Sequence, residues 1–140
     1  MPLDHVALTV SDRDRSAAFY AEHFGLTERV HDDVHLLILG DGAGSLLALS
    51  TGAPAAEGLP RTNHFGFRLG GCDEVLAARE RFRAAGVEEL EWSDHGPARV
   101  QVADPDGYRV EVYAFSWAFS QRSHPKSAPA DHRQAASSTT

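Results

Sequence analysis

Three residues have the types and positions of a metal site. A short motif with histidine in second place occurs twice, as DHVAL at residues 4–8 and as NHFGF at residues 63–67. A glutamate, Glu111, lies within a third apolar segment, residues 108–114. Two imidazoles and one carboxylate bind a divalent cation and leave coordination positions open for substrate or O₂. The pattern therefore indicates a reactive centre formed by His5, His64 and Glu111.

Side-chain alternation predicts that these three residues share one face of a sheet. In a strand successive side chains point to opposite faces. The apolar residues 6, 8 and 10 must pack on a helix, so His5 points away from that helix. The same reasoning places His64 and Glu111 on the face opposite their apolar neighbours. The wet side of an antiparallel sheet also carries such residues without any function, but the equivalent positions of the two histidines favour the metal interpretation.

Further polar residues belong to the same face. Arg68 shares the face of His64, where it meets either an anionic substrate group or a salt-bridge partner at the rim. Tyr113 and Gln101 are expected beside Glu111, as residues that orient substrate. A second cluster, formed by His31 and its neighbours at positions 32–35, is interpreted as solvated turn residues rather than metal ligands.

The elements that position these residues form an internal repeat. Each half begins with a histidine-bearing strand and continues with a helix, which Ser11 caps in the first half and Asp73 in the second. Gly25 and Gly86 end the two helices. Strand-like runs follow at residues 34–39 and 46–50, and at 98–103 and 108–114. The segment 51–61, which is rich in Gly, Ala and Pro, separates the halves.

The composition fits one small domain. With 140 residues, of which 42% are hydrophobic, the chain has material for a single core. We expect one domain over residues 1–119, made of modules 1–52 and 62–117, and a disordered tail over residues 120–140. Cys72 is the only cysteine, and no leader or membrane-spanning run is recognisable. We therefore expect a cytoplasmic protein that does not bind a membrane, and the net charge of −7 opposes nucleic-acid binding.

Longer motifs resemble a known family. They are DHVAL with FY at residues 19–20 and FGL at 24–26, NHFGF, and VADPDGYRVE at residues 102–111. Together they resemble the vicinal-oxygen-chelate superfamily, which includes glyoxalase I, extradiol dioxygenases, fosfomycin-resistance transferases and bleomycin-resistance proteins. The resemblance spans residues 2–117. It implies an α+β fold of paired βαβββ modules that form a cupped, mostly antiparallel sheet with helices on the convex face. The cup of the family closes within one chain or by exchange of halves between two chains, and we favour a homodimer.

The resemblance also implies the chemistry. A single divalent cation in the cup, Fe²⁺ or Mn²⁺ in preference to Zn²⁺ or Ni²⁺, would bind a small oxygen-chelating substrate. Ala48 stands where isomerases of the family have a carboxylate ligand, which favours dioxygenase-type chemistry over glyoxalase chemistry. The extradiol dioxygenases have a tyrosine where this chain has Gln101, which is a departure from their pattern, whereas His95 resembles a dioxygenase histidine with an acid/base role. We assign catalytic roles to His95 and Tyr113 and substrate binding to Arg68 and Gln101.

Two alternatives stay open at this point. One is a metal-free drug-binding protein similar to the bleomycin-resistance proteins, whose acidic grooves would suit a chain with a net charge of −7. The other is a glyoxalase-type lyase or thiol transferase. Metal content separates the first alternative from the enzyme.

Overall fold

Two similar modules follow each other along the chain. The computed structural model describes residue 1 and residues 3–115. The first module contains β1 (His5–Val10), α1 (Arg13–Phe24), β2 (Glu28–Asp32), β3 (Leu37–Gly40) and β4 (Leu46–Thr51). A short 3₁₀ turn (Ala56–Gly58) leads to the second, which contains β5 (Phe65–Arg68), α2 (Cys72–Ala84), β6 (Glu89–Ser93), β7 (Ala98–Ala103) and β8 (Arg109–Ala114).

Each module folds into a four-stranded mixed sheet with one helix. The strand order is β1-β4-β3-β2 in the first sheet and β5-β8-β7-β6 in the second. In both sheets the first strand runs parallel to the last, and the remaining pairs are antiparallel. The crossover helix makes the parallel pairing possible. The predicted α+β fold of paired βαβββ modules, mostly antiparallel, is confirmed.

The start of α1 differs from the sequence prediction. Asp12 is the N-cap, and its carboxylate accepts a hydrogen bond from the Arg15 backbone N–H. Ser11, the predicted cap, instead bonds through its backbone N–H and its hydroxyl to Asp106 of the second module. The prediction was wrong because the partner of Ser11 lies 95 residues away, beyond any local pattern.

The second helix begins without a side-chain cap. Its N-cap is Gly71, and Asp73, the predicted cap, lies in the first turn, where its charge is favourable near the helix N-terminus. The predicted helix ends are confirmed. Gly25 is the C-cap of α1 with φ of 72°, and Gly86 follows the C-cap of α2 with the same φ. This left-handed conformation favours glycine at both places.

Two strands have no counterpart among the predicted runs. Every residue of β2 is exposed, so the strand has no buried face that alternation could reveal. In β6 all residues are half-buried, which also removes the alternation. The run predicted at 34–39 is in fact a turn followed by β3, which begins at Leu37.

The buried residues of both modules form one core. Tyr20 of α1 is completely buried and lies between the modules. Phe24 contacts Phe67 of β5 and Phe82 of α2, with ring centroids 5.0 and 5.6 Å apart. The two helices therefore lie on the same side of the structure, with both sheets packed against them. We call the opposite side of each sheet its open face.

The turn before β8, at residues 104–107, is closed by a backbone hydrogen bond and contains a left-handed glycine. The Gly107 backbone N–H donates to the Asp104 carbonyl at 3.0 Å, and Gly107 has φ of 90°. This turn sets the start of the strand that carries Glu111. Within the residues that the structure describes, no helix has the length and hydropathy needed to cross a bilayer. The predicted tail at 120–140 lies outside those residues.

Candidate metal centre

The strand register brings the predicted residues of the second module together on its open face. Gly66 pairs with Glu111 and Arg68 pairs with Tyr113 across the parallel strands β5 and β8. On the other side of β8, Gln101 pairs with Glu111. His64 directly precedes β5. The open face of the second module therefore holds four of the predicted residues around Glu111.

His64 and Glu111 face each other through their electron-pair donors. The Nε2 of His64 lies 3.7 Å from Oε2 of Glu111. The other ring nitrogen, Nδ1, lies 3.0 Å from the Thr62 carbonyl oxygen, which can only accept a hydrogen bond. Nδ1 therefore carries a proton, which leaves Nε2, on the side of the carboxylate, as the ring nitrogen with which His64 can bind a cation. A backbone carbonyl that orients a histidine in this way is typical of metal ligands.

The spacing of these two atoms suits a shared cation. Two ligand atoms that each lie about 2.0–2.2 Å from one metal, at tetrahedral or octahedral angles, are roughly 3–3.6 Å apart. The observed 3.7 Å is slightly longer than that range and too long for a hydrogen bond. A small shift of either side chain would complete the geometry, so the imidazole and carboxylate fit a divalent ion of borderline softness.

Gln101 fixes the carboxylate of Glu111. Gln101 is buried, and its Nε2 donates to Oε2 of Glu111 at 2.9 Å. Its Oε1 accepts from Nη1 of Arg109 at 3.4 Å. The arginine can only donate and the carboxylate can only accept, so the orientation of the amide is determined by its two partners. Gln101 therefore acts on Glu111 as a positioning residue.

His5 lies apart from this pair. Its side chain is 63% exposed, and Nδ1 bonds to Oδ1 of Asp4 at 2.9 Å. This hydrogen bond holds the pKa of Asp4 below its usual range. His5 and His64 both line a cavity of about 470 Å³ between the first strands of the two modules. Even so, residues 1 and 3–115 contain no group of three or more His, Cys, Asp or Glu placed to hold one ion.

The other three predicted residues, Arg68, Tyr113 and His95, lie in different surroundings. Arg68 lines the same cavity as the two histidines and has no ion-pair partner in the described part of the chain. The Tyr113 ring packs edge-on against Phe115, with centroids 5.6 Å apart. His95 is 97% exposed, bonds to Asp94 at 2.7 Å and lines none of the cavities described. The structure does not bring His95 to the other predicted residues.

Three charged residues near the candidate centre were missed by the sequence analysis. Arg61, Glu91 and Arg99 line a second cavity, of about 280 Å³, together with His64, Gln101 and Glu111. Glu91 binds Nη2 of Arg61 at 2.6 Å through Oε2 and Nη2 of Arg99 at 2.9 Å through Oε1. Alternation along β7 would have placed Arg99 on the face of Gln101. Arg61 lies in the linker, where no periodic signal exists.

The open face of the first module is apolar by comparison. Ala7 pairs with Ala48 across β1 and β4, and Ala48 pairs with Ile38 of β3. Leu46 pairs with His5 at the other end of β1. Ala48 thus lies on the face of His5 and offers no ligand atom. The ionisable groups near the candidate centre come mainly from the second module.

Gly66 leaves room beside Glu111. A Cβ at position 66 would lie 3.1 Å from both the Cβ and the carbonyl oxygen of Glu111. Such contacts are tighter than van der Waals packing allows without a shift of the neighbouring strand. The missing side chain therefore lets Glu111 keep its position and stay accessible from β5.

The fold and these residues define a family. A family model described as the glyoxalase/bleomycin resistance protein/dioxygenase superfamily matches residues 2–112. The chain belongs to this superfamily. No significant match is found among curated proteins.

Solved structures of this superfamily are similar to the chain. A possible glyoxalase from Bacillus cereus is 26% identical with a TM-score of 0.69, and the alignment covers 81% of this chain and 98% of that one. A lactoylglutathione lyase from Agrobacterium tumefaciens is 27% identical with a TM-score of 0.63, covering 81% and 92%. The fosfomycin resistance protein FosX from Listeria monocytogenes is 25% identical with a TM-score of 0.67, covering 83% and 94%.

Proposed function

We propose that the protein is a divalent-metal-dependent enzyme that acts on a small oxygen-chelating substrate, with His5, His64 and Glu111 as the metal ligands. The observation that carries the proposal is the pair of electron-pair donors, Nε2 of His64 and Oε2 of Glu111, facing each other at 3.7 Å. Two facing acceptors repel unless a proton or a cation lies between them. The hydrogen bonds from Gln101 to Glu111 and from His64 to the Thr62 carbonyl keep both donors in this orientation.

The fold of the neighbours supports a divalent ion. FosX from Listeria monocytogenes has been crystallised with Mn(II) and sulfate, so this fold accommodates such a cation. Two histidines and one glutamate form the type of site that binds Fe(II) or Mn(II) and keeps positions open. When bound, the cation would polarise substrate oxygens as a Lewis acid, and Fe(II) would add redox chemistry with O₂.

The third proposed ligand, His5, does not lie beside His64 and Glu111 and must reach the centre in another way. We propose that a homodimer completes the centre, with His5 of one subunit meeting His64 and Glu111 of the other. The surroundings of His5 support this arrangement. Its ring is exposed and its Nδ1 bonds to Asp4, so Nε2 is the ring nitrogen that can bind a cation held by another subunit.

Among the possible reactions we favour dioxygenase-type chemistry. Ala48 provides no carboxylate on the face of His5, so the base that an isomerase needs is missing there. A general base of this kind typically accelerates the reaction about 10²–10⁴-fold. The residues that remain can bind and orient a substrate. Tyr113 lies two residues from Glu111 along β8, roughly 7 Å away, with its side chain on the same face. We leave His95 outside the proposed site because it lines none of the cavities described.

Metal analysis is the first test. The purified protein, loaded in turn with Fe, Mn, Co, Ni and Zn, should retain about one ion per chain after desalting. His64→Ala and Glu111→Ala should each lose most of that ion, whereas His35→Ala and Glu57→Ala, which change exposed residues of the same types, should not. A wild-type protein that retains none of these metals would contradict the proposal and favour the metal-free binding protein.

Oxygen uptake tests the reaction. The Fe(II) form, prepared anaerobically, should consume O₂ when air and a catechol or related vicinal diol or enol are added. Turnover of methylglyoxal with glutathione should be low. Efficient turnover of methylglyoxal by the Ni or Zn form, without any oxygen uptake by the iron form, would instead support the glyoxalase-type alternative.

The metal-free binding alternative is less compatible with the charges near the centre. Four arginines (Arg61, Arg68, Arg99 and Arg109) lie near the candidate centre together with four carboxylates (Asp4, Asp41, Glu91 and Glu111). The charges near the centre therefore balance, although the whole chain carries −7. A groove without an excess of carboxylates does not attract a cationic drug as an acidic groove would.

A further inference from the structure

The Arg61–Glu91–Arg99 cluster leaves one strong donor without a partner. Glu91 accepts one hydrogen bond from each arginine: Oε2 accepts from Arg61 and Oε1 accepts from Arg99. The Nε–H of Arg99 is buried, and the described residues offer it no hydrogen-bond partner. A carboxylate that faced Arg99 alone would accept from both Nε and Nη2, which is the favoured two-bond geometry of such a pair. Arg61 prevents this because it occupies the second oxygen of Glu91.

The two arginines are held very differently. The side chain of Arg61 is 71% exposed and comes from the linker, whereas that of Glu91 is only 18% exposed and comes from β6. Arg99 is less exposed than Arg61, at 41%, and comes from the inner strand β7. An exposed ion pair made by a long side chain is weak, so Arg61 can leave Glu91 at little cost. Glu91 can then turn its second oxygen to the buried Nε–H of Arg99.

The cavity places this exchange beside the candidate metal centre. Arg61 and Arg99 line the 280 Å³ cavity with His64 and Glu111. Arg61 is three residues before His64, so the same linker carries both. We propose that Arg61 is the residue that binds a compact oxyanion of the substrate, a carboxylate or a phosphonate, and that Glu91 is its resting partner, exchanged for the substrate on binding. This inference adds a substrate class to the function proposed above. It depends on that function only in assuming that the neighbouring centre binds a metal.

The charge balance supports an anion. The pKa of Glu91 is held below its usual value, first by the hydrogen bond of Arg99 and then by that of Arg61, so this carboxylate is ionised at neutral pH. Two guanidinium groups then face one carboxylate, and the cluster keeps one positive charge. After the exchange Arg99 pairs with Glu91 and Arg61 pairs with the substrate anion, so each charge of the cluster has a partner.

A titration with small anions in the presence of a chelator tests this inference without any metal. Calorimetry with methylphosphonate and, separately, with acetate shows which oxyanion is preferred. Binding by the wild type should weaken at least tenfold in Arg61→Ala and less in Arg61→Lys. Arg83→Ala, which removes an arginine paired to Glu80 and Glu89 outside the cavity of Arg61, should leave binding unchanged.

The variant Glu91→Gln tests whether Glu91 is a partner that Arg61 leaves on anion binding or a residue that Arg61 needs to bind the anion. It frees Arg61 and removes a competing negative charge, so anion binding should tighten severalfold. In arginine-selective NMR spectra of the wild type, methylphosphonate should shift the Nε–H signal of Arg99, because Glu91 moves onto it. Weaker binding by Glu91→Gln, unchanged binding by Arg61→Ala, or no binding of either anion to the wild type would each overturn the inference. Anion binding through Arg61 by a protein that retains no metal would contradict only the metal proposal.

Discussion

The hydroxyl of Tyr20 donates a hydrogen bond of 2.7 Å to Oδ2 of Asp104, and this buried contact joins helix α1 of the first module to the turn before β8 of the second. The other oxygen of Asp104 accepts from the backbone N–H groups of Asp106 and Tyr108. The contact therefore connects the packing of the two modules to the turn that starts the strand of Glu111.

Tyr20→Phe should destabilise the protein by about 1–3 kcal/mol, because it leaves a buried carboxylate oxygen without its donor. Burial raises the pKa of Asp104, and the Tyr20 hydrogen bond lowers it in part. Removing the hydroxyl raises that pKa further. The loss of stability should be full at neutral pH and should shrink in acid, where Asp104 is protonated. Urea unfolding at pH 7 and pH 4 measures this, and a loss that grows in acid would contradict it.

Glu89 should contribute stability that depends on pH. Nε and Nη2 of Arg79 donate to its two oxygens at 2.8 and 2.7 Å, and this hydrogen bonding is the main reason that the pKa of Glu89 is lowered. A lowered pKa means that the contribution is present above the ordinary value of 4.5 and is lost as the pH falls through the folded-state value. Glu89→Gln should lower Tm at pH 7 but much less at pH 3.

The matched control for Glu89 is Glu80→Gln. Glu80 is 73% exposed and pairs with Arg83 at 3.6 Å within the same helix. Its loss should change Tm little at either pH. Equal effects of the two variants at pH 7 would show that the Arg79 contact adds nothing specific.

Gln101→Leu should weaken metal binding by roughly 10–100-fold, because residues that orient a metal ligand have effects of this size. The change removes the donor to Oε2 of Glu111 while keeping the volume of the side chain. Competition with a coloured chelator measures the affinity. Ser93→Ala, on the neighbouring strand β6, is the control and should bind metal as the wild type does. An unaltered affinity in Gln101→Leu would show that Glu111 needs no support.

Mixing two inactive variants should restore activity if the centre forms between subunits. His5→Ala and Glu111→Ala each lack one ligand, but a mixed dimer contains one centre with all three ligands. Equal amounts of the two variants that are unfolded and refolded together should regain about a quarter of wild-type activity, because half of the dimers are mixed and each mixed dimer has one intact centre. Light scattering that shows a monomer under assay conditions, or a mixture as inactive as its parts, would exclude shared centres.

Alternation predicted the face that His64, Gln101 and Glu111 share, because strand period and burial are local properties of the sequence. The same signal failed for β2, since a strand exposed on both faces has no period to detect. The position of His5 relative to Glu111 depends on how two modules pack, and no local pattern encodes that packing. The partner of Ser11 and the linker position of Arg61 were missed for the same reason.

The apolar open face of the first module, with Ala7, Ile38, Leu46 and Ala48, has a consequence for how the protein can change. Gln101, Glu111 and Tyr113 lie on the paired strands β7 and β8 of the second module, and Gln101 also bonds to Glu111. The first half supplies His5 and these apolar side chains, with Thr9 and Ser50 at the far end of the same face. In the proposed enzyme, substitutions of these apolar residues would reshape the space offered to a substrate without changing a charge, so the selectivity and the chemistry would reside in different halves of the chain.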